Sequence, residues 1–265
     1  MSPVFQTLET TLARGADGLT AEARAKLVVA LLGLRGSDGG FAGLDRRSDP
    51  YYTLFAWLCL RGLDAVYDRS ALCAYLSACP RHAGTVDASC ADFVLSVESG
   101  VRMRCLPHVL SAMHRGDAYA FFLASLITGK LPSWLVRTAM RWMFRSGVGS
   151  DLSRLPTPRL AAGAVLASLA GTDTSAFVSE LRNRRLSSGG YASAAGTAPD
   201  LLATAAARFA CDWASAALPA HECSGDLAFV ESCWMEDGLF GPSPSAACGD
   251  AEHTFYGLLA LGTCR

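Results

Sequence analysis

The sequence predicts an all-α fold of six helical hairpins, and three observations predict it. Apolar residues recur at three- and four-residue intervals in segment after segment, the period of a helix with a buried face. Within each pair one segment is amphipathic and its partner is apolar on nearly every side. AEARAKLVVALLGLRG (21–36) followed by SDPYYTLFAWLCLRGL (48–63) is the clearest example; the second is expected inside and the first outside. The pairs also recur at roughly 30 to 50 residues, the spacing of helical repeats.

In order, the first pair is 21–34 with 50–63, its second member started by Ser48-Asp49-Pro50, a cap followed by a first-turn proline. The second pair is 68–78 with 87–97, the third 104–113 with 117–128, and the fourth 131–145 with 157–169. The fifth is 173–184 with 199–211, and the sixth is 224–234 with 250–261. No strand pattern has comparable strength and no low-complexity linker divides the chain, so residues 1–265 are expected to form a single domain.

Composition excludes several classes. The net charge is −1 with 18% charged residues, which leaves no electrostatic footprint for nucleic acid. The chain is 51% hydrophobic with a mean hydropathy of +0.26, yet its longest apolar run, AYAFFLASLITG (118–129), falls short of the ~20 residues of a membrane span. That run reads as a buried helix. MSPVFQTLETTLARGADG at the start lacks the apolar core of a secretory signal. The ten cysteines form no CxxC pair and mostly lie in apolar runs such as FAWLCLRGL and RFACDW, as buried thiols do in a reducing compartment. A cytoplasmic protein with an apolar interior is the expectation.

Three connections share a pattern that helix packing alone does not require: SDGGFAGLDRRSDPYYTLFAWLCL (37–60), SSGGYASAAGTAPDLLATAAARFA (187–210) and EDGLFGPSPSAACGDAEHTFYGLLAL (236–261). Each runs from glycine through an aromatic and a loop to an aspartate, then a helix carrying threonine. Glycine permits a tight turn, and aspartate caps the helix that follows. SGVGSDLSRLPTPRLAAGAVLASLAG (146–171) is a weaker copy without the aromatic, and RGDAYAFFLASLITG (115–129) keeps only the cap and helix.

This repeat resembles that of the protein prenyltransferases and squalene cyclases, over residues 21–262, and most of all the β-subunits of the Rab geranylgeranyltransferase type. The resemblance implies an α/α toroid: six inner helices ringed by six outer ones around an apolar funnel for an isoprenoid or similar hydrophobic ligand. It also implies a helical-repeat α-subunit-like partner, and zinc held by Asp-x-Cys on the fifth inner helix and by His on the sixth. Such a zinc would leave one position open to a substrate thiol. The sixth-helix pattern is met by Asp250, His253, Thr254, Phe255, Tyr256 and Gly257. On the fifth helix Asp200 matches, 53 residues before His253, but Leu202 stands where the family has cysteine. Leucine cannot coordinate a metal, so the implied zinc site is incomplete: Asp200 and His253 remain, with Cys248 the nearest substitute in sequence. Cys211 lies about 16 Å along the same helix.

The family's diphosphate contacts correspond to Ala194, Thr197 and Ala203. None is cationic, and Arg159 is the nearest replacement. RNRR (182–185) reads as a solvated helix end, and Tyr51, Tyr52, Phe55 and Trp57 as core or funnel lining, with Tyr256 joining them. The candidate site is therefore Asp200, Asp250 and His253, with Arg159, Tyr51, Phe55, Trp57 and Tyr256 toward a ligand.

Two other readings stay open. One is a non-catalytic scaffold or partner subunit on the same fold, and the other a small terpene-cyclase-like enzyme with a displaced acid. No D-x-D-D motif is present, and Asp87 and Asp92 read as a cap and a solvated carboxylate. Asp200 and Asp250 could also act as an opposed carboxylate pair. HEC (221–223) with Cys233 has loose metal-like spacing but reads as surface-loop residues; His82, His108 and His114 stand alone.

Overall fold

The structure, a computed structural model, describes residues 3–43, 45–80, 86–100, 151–216 and 219–264, with Trp134, Arg137, Thr138 and Arg141 singly. In chain order its helices are α1 (Pro3–Asp17), α2 (Ala21–Gly33), α3 (Pro50–Gly62), α4 (Arg69–Ala78) and α5 (Val86–Ser99). They continue with α6 (Thr157–Leu169), α7 (Ser175–Asn183), α8 (Leu201–Trp213), α9 (Ala220–Ser232) and α10 (Ala251–Cys264). The all-α reading stands among the described residues; the one extended pair is β1 (Tyr191–Ala192) against β2 (Pro199–Asp200).

All helices except α1 fall on predicted segments, with ends displaced by a few residues. The segments 104–113 and 117–128 lie outside the described residues, as do most of 131–145, His82, His108 and His114. The HEC segment is a correction: it forms the first turns of α9 rather than a loop, with His221 exposed and Cys223 partly buried. All nine described cysteines are free thiols, and Cys248 is exposed.

Local chemistry explains why the three repeated connections recur. Gly39, Gly189 and Gly238 hold the same place in each and all have φ between +86° and +95°, the left-handed region that glycine enters without cost. After each turn an aspartate accepts a hydrogen bond from the amide three residues on, at the free end of a helix. The pairs are Asp49 with Tyr52 at 2.8 Å, Asp200 with Ala203 at 2.7 Å and Asp250 with His253 at 2.8 Å. The threonine one turn into each helix accepts from the turn aromatic's amide: Thr53 from Phe41 and Thr204 from Tyr191 at 2.9 Å, Thr254 from Phe240 at 3.1 Å. Each repeat is thus one hydrogen-bonded device that sets where an inner helix starts. It satisfies buried amides that would otherwise lack partners.

The apolar helices lie side by side in the order α5, α3, α10, α8, α6, while α4 packs on α5, α7 on α6 and α8, and α9 on α10. A side chain at Gly238 would strike Lys26 of α2, so the last hairpin's turn rests on the first hairpin's outer helix. Leu201 of α8 also donates its amide to Pro242 in the final loop, at 3.0 Å.

Helix α1 was not anticipated. Its buried stripe of Val4, Phe5, Leu8, Leu12 and Ala16 packs on α10 and α3 near their C-terminal ends. Glycines admit it: a Cβ on Gly262 would lie 1.9 Å from the Thr11 carbonyl oxygen, one on Gly15 2.0 Å from that of Leu258, and one on Gly62 2.8 Å from Leu12 Cβ. Backbone therefore meets backbone where α1 crosses α10. No helix among the described residues is long and apolar enough to cross a membrane.

Candidate functional site

Between α3, α6, α8 and α10 lies an apolar cavity whose empty space, with the open solvent at its mouth counted in, is about 660 Å³. Helical periodicity builds its walls. Leu54, Phe55 and Leu58 come from α3, Ala161, Ala162 and Val165 from α6, Leu202, Ala206 and Phe209 from α8, and Phe255, Tyr256 and Leu259 from α10. Each set is a three- or four-residue stripe on one helix face. Leu8 of α1 joins the lining. Among the described residues no lining residue is charged.

The predicted site residues divide. Phe55, Tyr256 and Leu202 line the cavity; Phe55 touches Phe255 and Tyr256 with ring centroids 5.0 and 5.8 Å apart. Trp57 lies elsewhere: fully buried, it stacks on Phe5 and donates from Nε1 to Glu98 at 2.8 Å. Residue 57 is two positions from Phe55, which turns it toward the opposite helix face. Arg159 is exposed on the first turn of α6 and makes no ion pair among the described residues.

Asp250 and His253 form a pair. The Asp250 Oδ1 atom accepts the His253 backbone amide and Oδ2 faces His253 Nδ1, both at 2.8 Å. Asp250 is nearly buried, and the imidazole is 19% exposed. Burial opposes charge on His253, but the hydrogen bond to Asp250 and the charges of Asp250, Glu252 and Asp200 outweigh it, raising the pKa above 6.5. Asp200 caps α8. Among the described residues no three His, Cys, Asp or Glu side chains gather closely enough to hold a metal ion. The donor set does not fit zinc, with Leu202 facing the cavity where a thiolate would be needed.

No family model matches the chain, and no curated protein matches it either. Its site is read from its own geometry.

That geometry contains a residue absent from the sequence reading. Glu252 stands one turn before Phe255 and Tyr256 on α10, as Tyr51 stands one turn before Leu54 and Phe55 on α3. The Tyr51 hydroxyl donates to Glu252 Oε1 at 2.6 Å, and the Tyr51 ring packs on Phe55 at 4.8 Å. Burial raises the Glu252 pKa, opposed by the Tyr51 hydrogen bond and His253, with Asp250 and Asp49 adding to the rise. The stripe 252, 255/256, 259 is legible as a helix face, but its polar first member falls on an unspecified position of the D-x-x-H-T pattern.

The His253 pair predicts a pH response with a definite sign. A raised folded pKa makes the imidazolium's stabilisation complete below pH 6.5 and lost as pH rises through the folded value. In Asp250→Asn, which keeps a capping oxygen but removes the charge, the His253 midpoint followed by NMR is expected to fall below that of the wild type, because burial remains. An unchanged midpoint would show that Asp250 does not set it.

Proposed function

We propose that the chain is an α/α toroid whose central cavity binds the hydrocarbon part of one small amphiphile, isoprenoid in type as the resemblance to prenyltransferase β-subunits implies. The observation that carries the reading is the cavity itself: without a charged residue in its described lining, walled by four apolar helices and partly open to solvent. The helix order α5, α3, α10, α8, α6, with the last hairpin's turn against α2, supports a ring. The helices expected over 104–145 would complete it.

Burial of a hydrocarbon tail on these walls contributes about 0.8 kcal/mol per methylene, enough for micromolar binding by a short isoprenoid. Zinc-dependent thiol transfer is outside the proposal, since Leu202 replaces the thiolate ligand and Asp250 already engages His253. Asp250 and Asp200 act here as helix caps, and with His253 as the polar surroundings of the bound molecule's head.

Displacement of a fluorescent naphthylamine probe by farnesol tests the proposal. Wild-type protein is expected to bind one farnesol per chain. Ala206→Trp, which places an indole in the cavity, is expected to weaken binding by about 100-fold or more. Circular dichroism would confirm that the variant retains its helices. Equal binding by both proteins contradicts a site in the cavity, and no binding by the wild type leaves the fold as a scaffold.

A further inference from the structure

We infer that the cavity selects a ligand whose polar head donates hydrogen bonds and carries positive charge, an amine on a hydrocarbon tail, with Glu252 as its acceptor. The inference rests on the reading of the cavity as a hydrocarbon site and adds the chemistry of the head.

Position carries the first part of the argument. Glu252 and Tyr51 extend the α10 and α3 stripes by one turn beyond Phe255–Tyr256 and Leu54–Phe55, toward the helix starts. Their 2.6 Å hydrogen bond joins the two wall helices there. A tail lying along Phe55, Phe255 and Leu202 would bring its head to this pair.

Valence carries the second. Tyr51 occupies Glu252 Oε1, and Oε2 accepts no hydrogen bond among the described residues. A carboxylate is an acceptor with room for several donors, so the second oxygen, which is not among the buried unpartnered atoms, is free to accept a donor from a ligand. Half-buried beside Tyr51, it would hold an ammonium more strongly than in water.

Charge carries the third. Of the charged groups that act most on Glu252, namely His253, Asp250 and Asp49, only His253 can be positive, and its ring already faces Asp250. Among the described residues no arginine or lysine lines the cavity. A phosphate or carboxylate head would meet Glu252 without an offsetting cation from the described walls, a costly arrangement in an apolar site.

The experiment compares three molecules with one tail, below their aggregation concentrations: farnesylamine, farnesol and farnesyl diphosphate, by isothermal titration. Farnesylamine is expected to bind about tenfold tighter than farnesol, and farnesyl diphosphate more weakly than either. In Glu252→Gln, which keeps an acceptor for Tyr51, the amine's advantage is expected to disappear while farnesol affinity stays within about twofold. Farnesol binding with the diphosphate preferred, or an amine preference that survives Glu252→Gln, overturns the assignment and leaves the cavity reading intact. Failure of farnesol itself to bind overturns both.

Discussion

Replacing Asp226 by alanine is expected to lower the unfolding free energy by about 3–5 kcal/mol. Asp226 has no exposed surface. Its Oδ1 accepts from Arg185 Nε and from the Gly190 amide, each at 3.0 Å, and its Oδ2 lies 3.7 Å from Arg208. Arg208 is itself buried and donates to the Thr263 carbonyl at 2.7 Å. One carboxylate therefore compensates two guanidinium groups, on the turn before β1 and on α8, and also fixes the turn glycine. Alanine would take this carboxylate from both cations and leave the Gly190 amide without its acceptor, while Arg185 keeps the Glu222 carbonyl and Arg208 the Thr263 carbonyl. For a chain of this size the loss corresponds to a fall in Tm of roughly 10 °C, measurable by urea and thermal denaturation. Asp226→Asn, which keeps an acceptor for Gly190, is expected to lose less. A change in Tm of under 2 °C, on the order of 0.5–1 kcal/mol, would contradict this account of the network.

Gly262→Ala is the second large effect, expected to cost about 3 kcal/mol. The added methyl would sit 1.9 Å from the Thr11 carbonyl oxygen, and backbone cannot rotate aside as a flexible side chain can. Helix α1 must then move away from α10, uncovering Phe5, Leu8 and Leu12, all nearly fully buried. Hydrogen exchange on α1 amides is expected to accelerate ahead of global unfolding. Gly33→Ala is the control, because a Cβ there meets nothing within 4 Å; it removes a helical glycine and should be neutral or slightly stabilising.

These two positions also mark what the sequence could and could not say. The inner helices were legible because local rules act together in them. Asp49 and Pro50 start α3, and the same Asp-x-x-x-Thr spacing starts α8 and α10. The predicted 157–169 coincides with α6 in full. Helix α1 was missed although its apolar spacing is helical, because what holds it is tertiary: three glycines, at 15, 62 and 262, that meet only after folding.

For the site, the capping role of Asp200 and Asp250 was visible in the residue pattern. The cavity walls followed from helix period, which separates Phe55 from Trp57 only once the packed face is known. Glu252 fills an unspecified position of the pattern around it. Its significance comes from Tyr51, 201 residues away in sequence and 2.6 Å away in space.

The claim that the cavity holds a hydrocarbon tail is tested most directly by locating that tail. With isotope-labelled Leu and Val methyl groups and unlabelled farnesol, intermolecular nuclear Overhauser effects report which methyls the ligand touches. The account predicts contacts to Leu54, Leu58, Leu202 and Leu259, which line the cavity, and none to the exposed Val29 and Val66. Contacts confined to Val29 or Val66, or none at all at saturating farnesol, would contradict it.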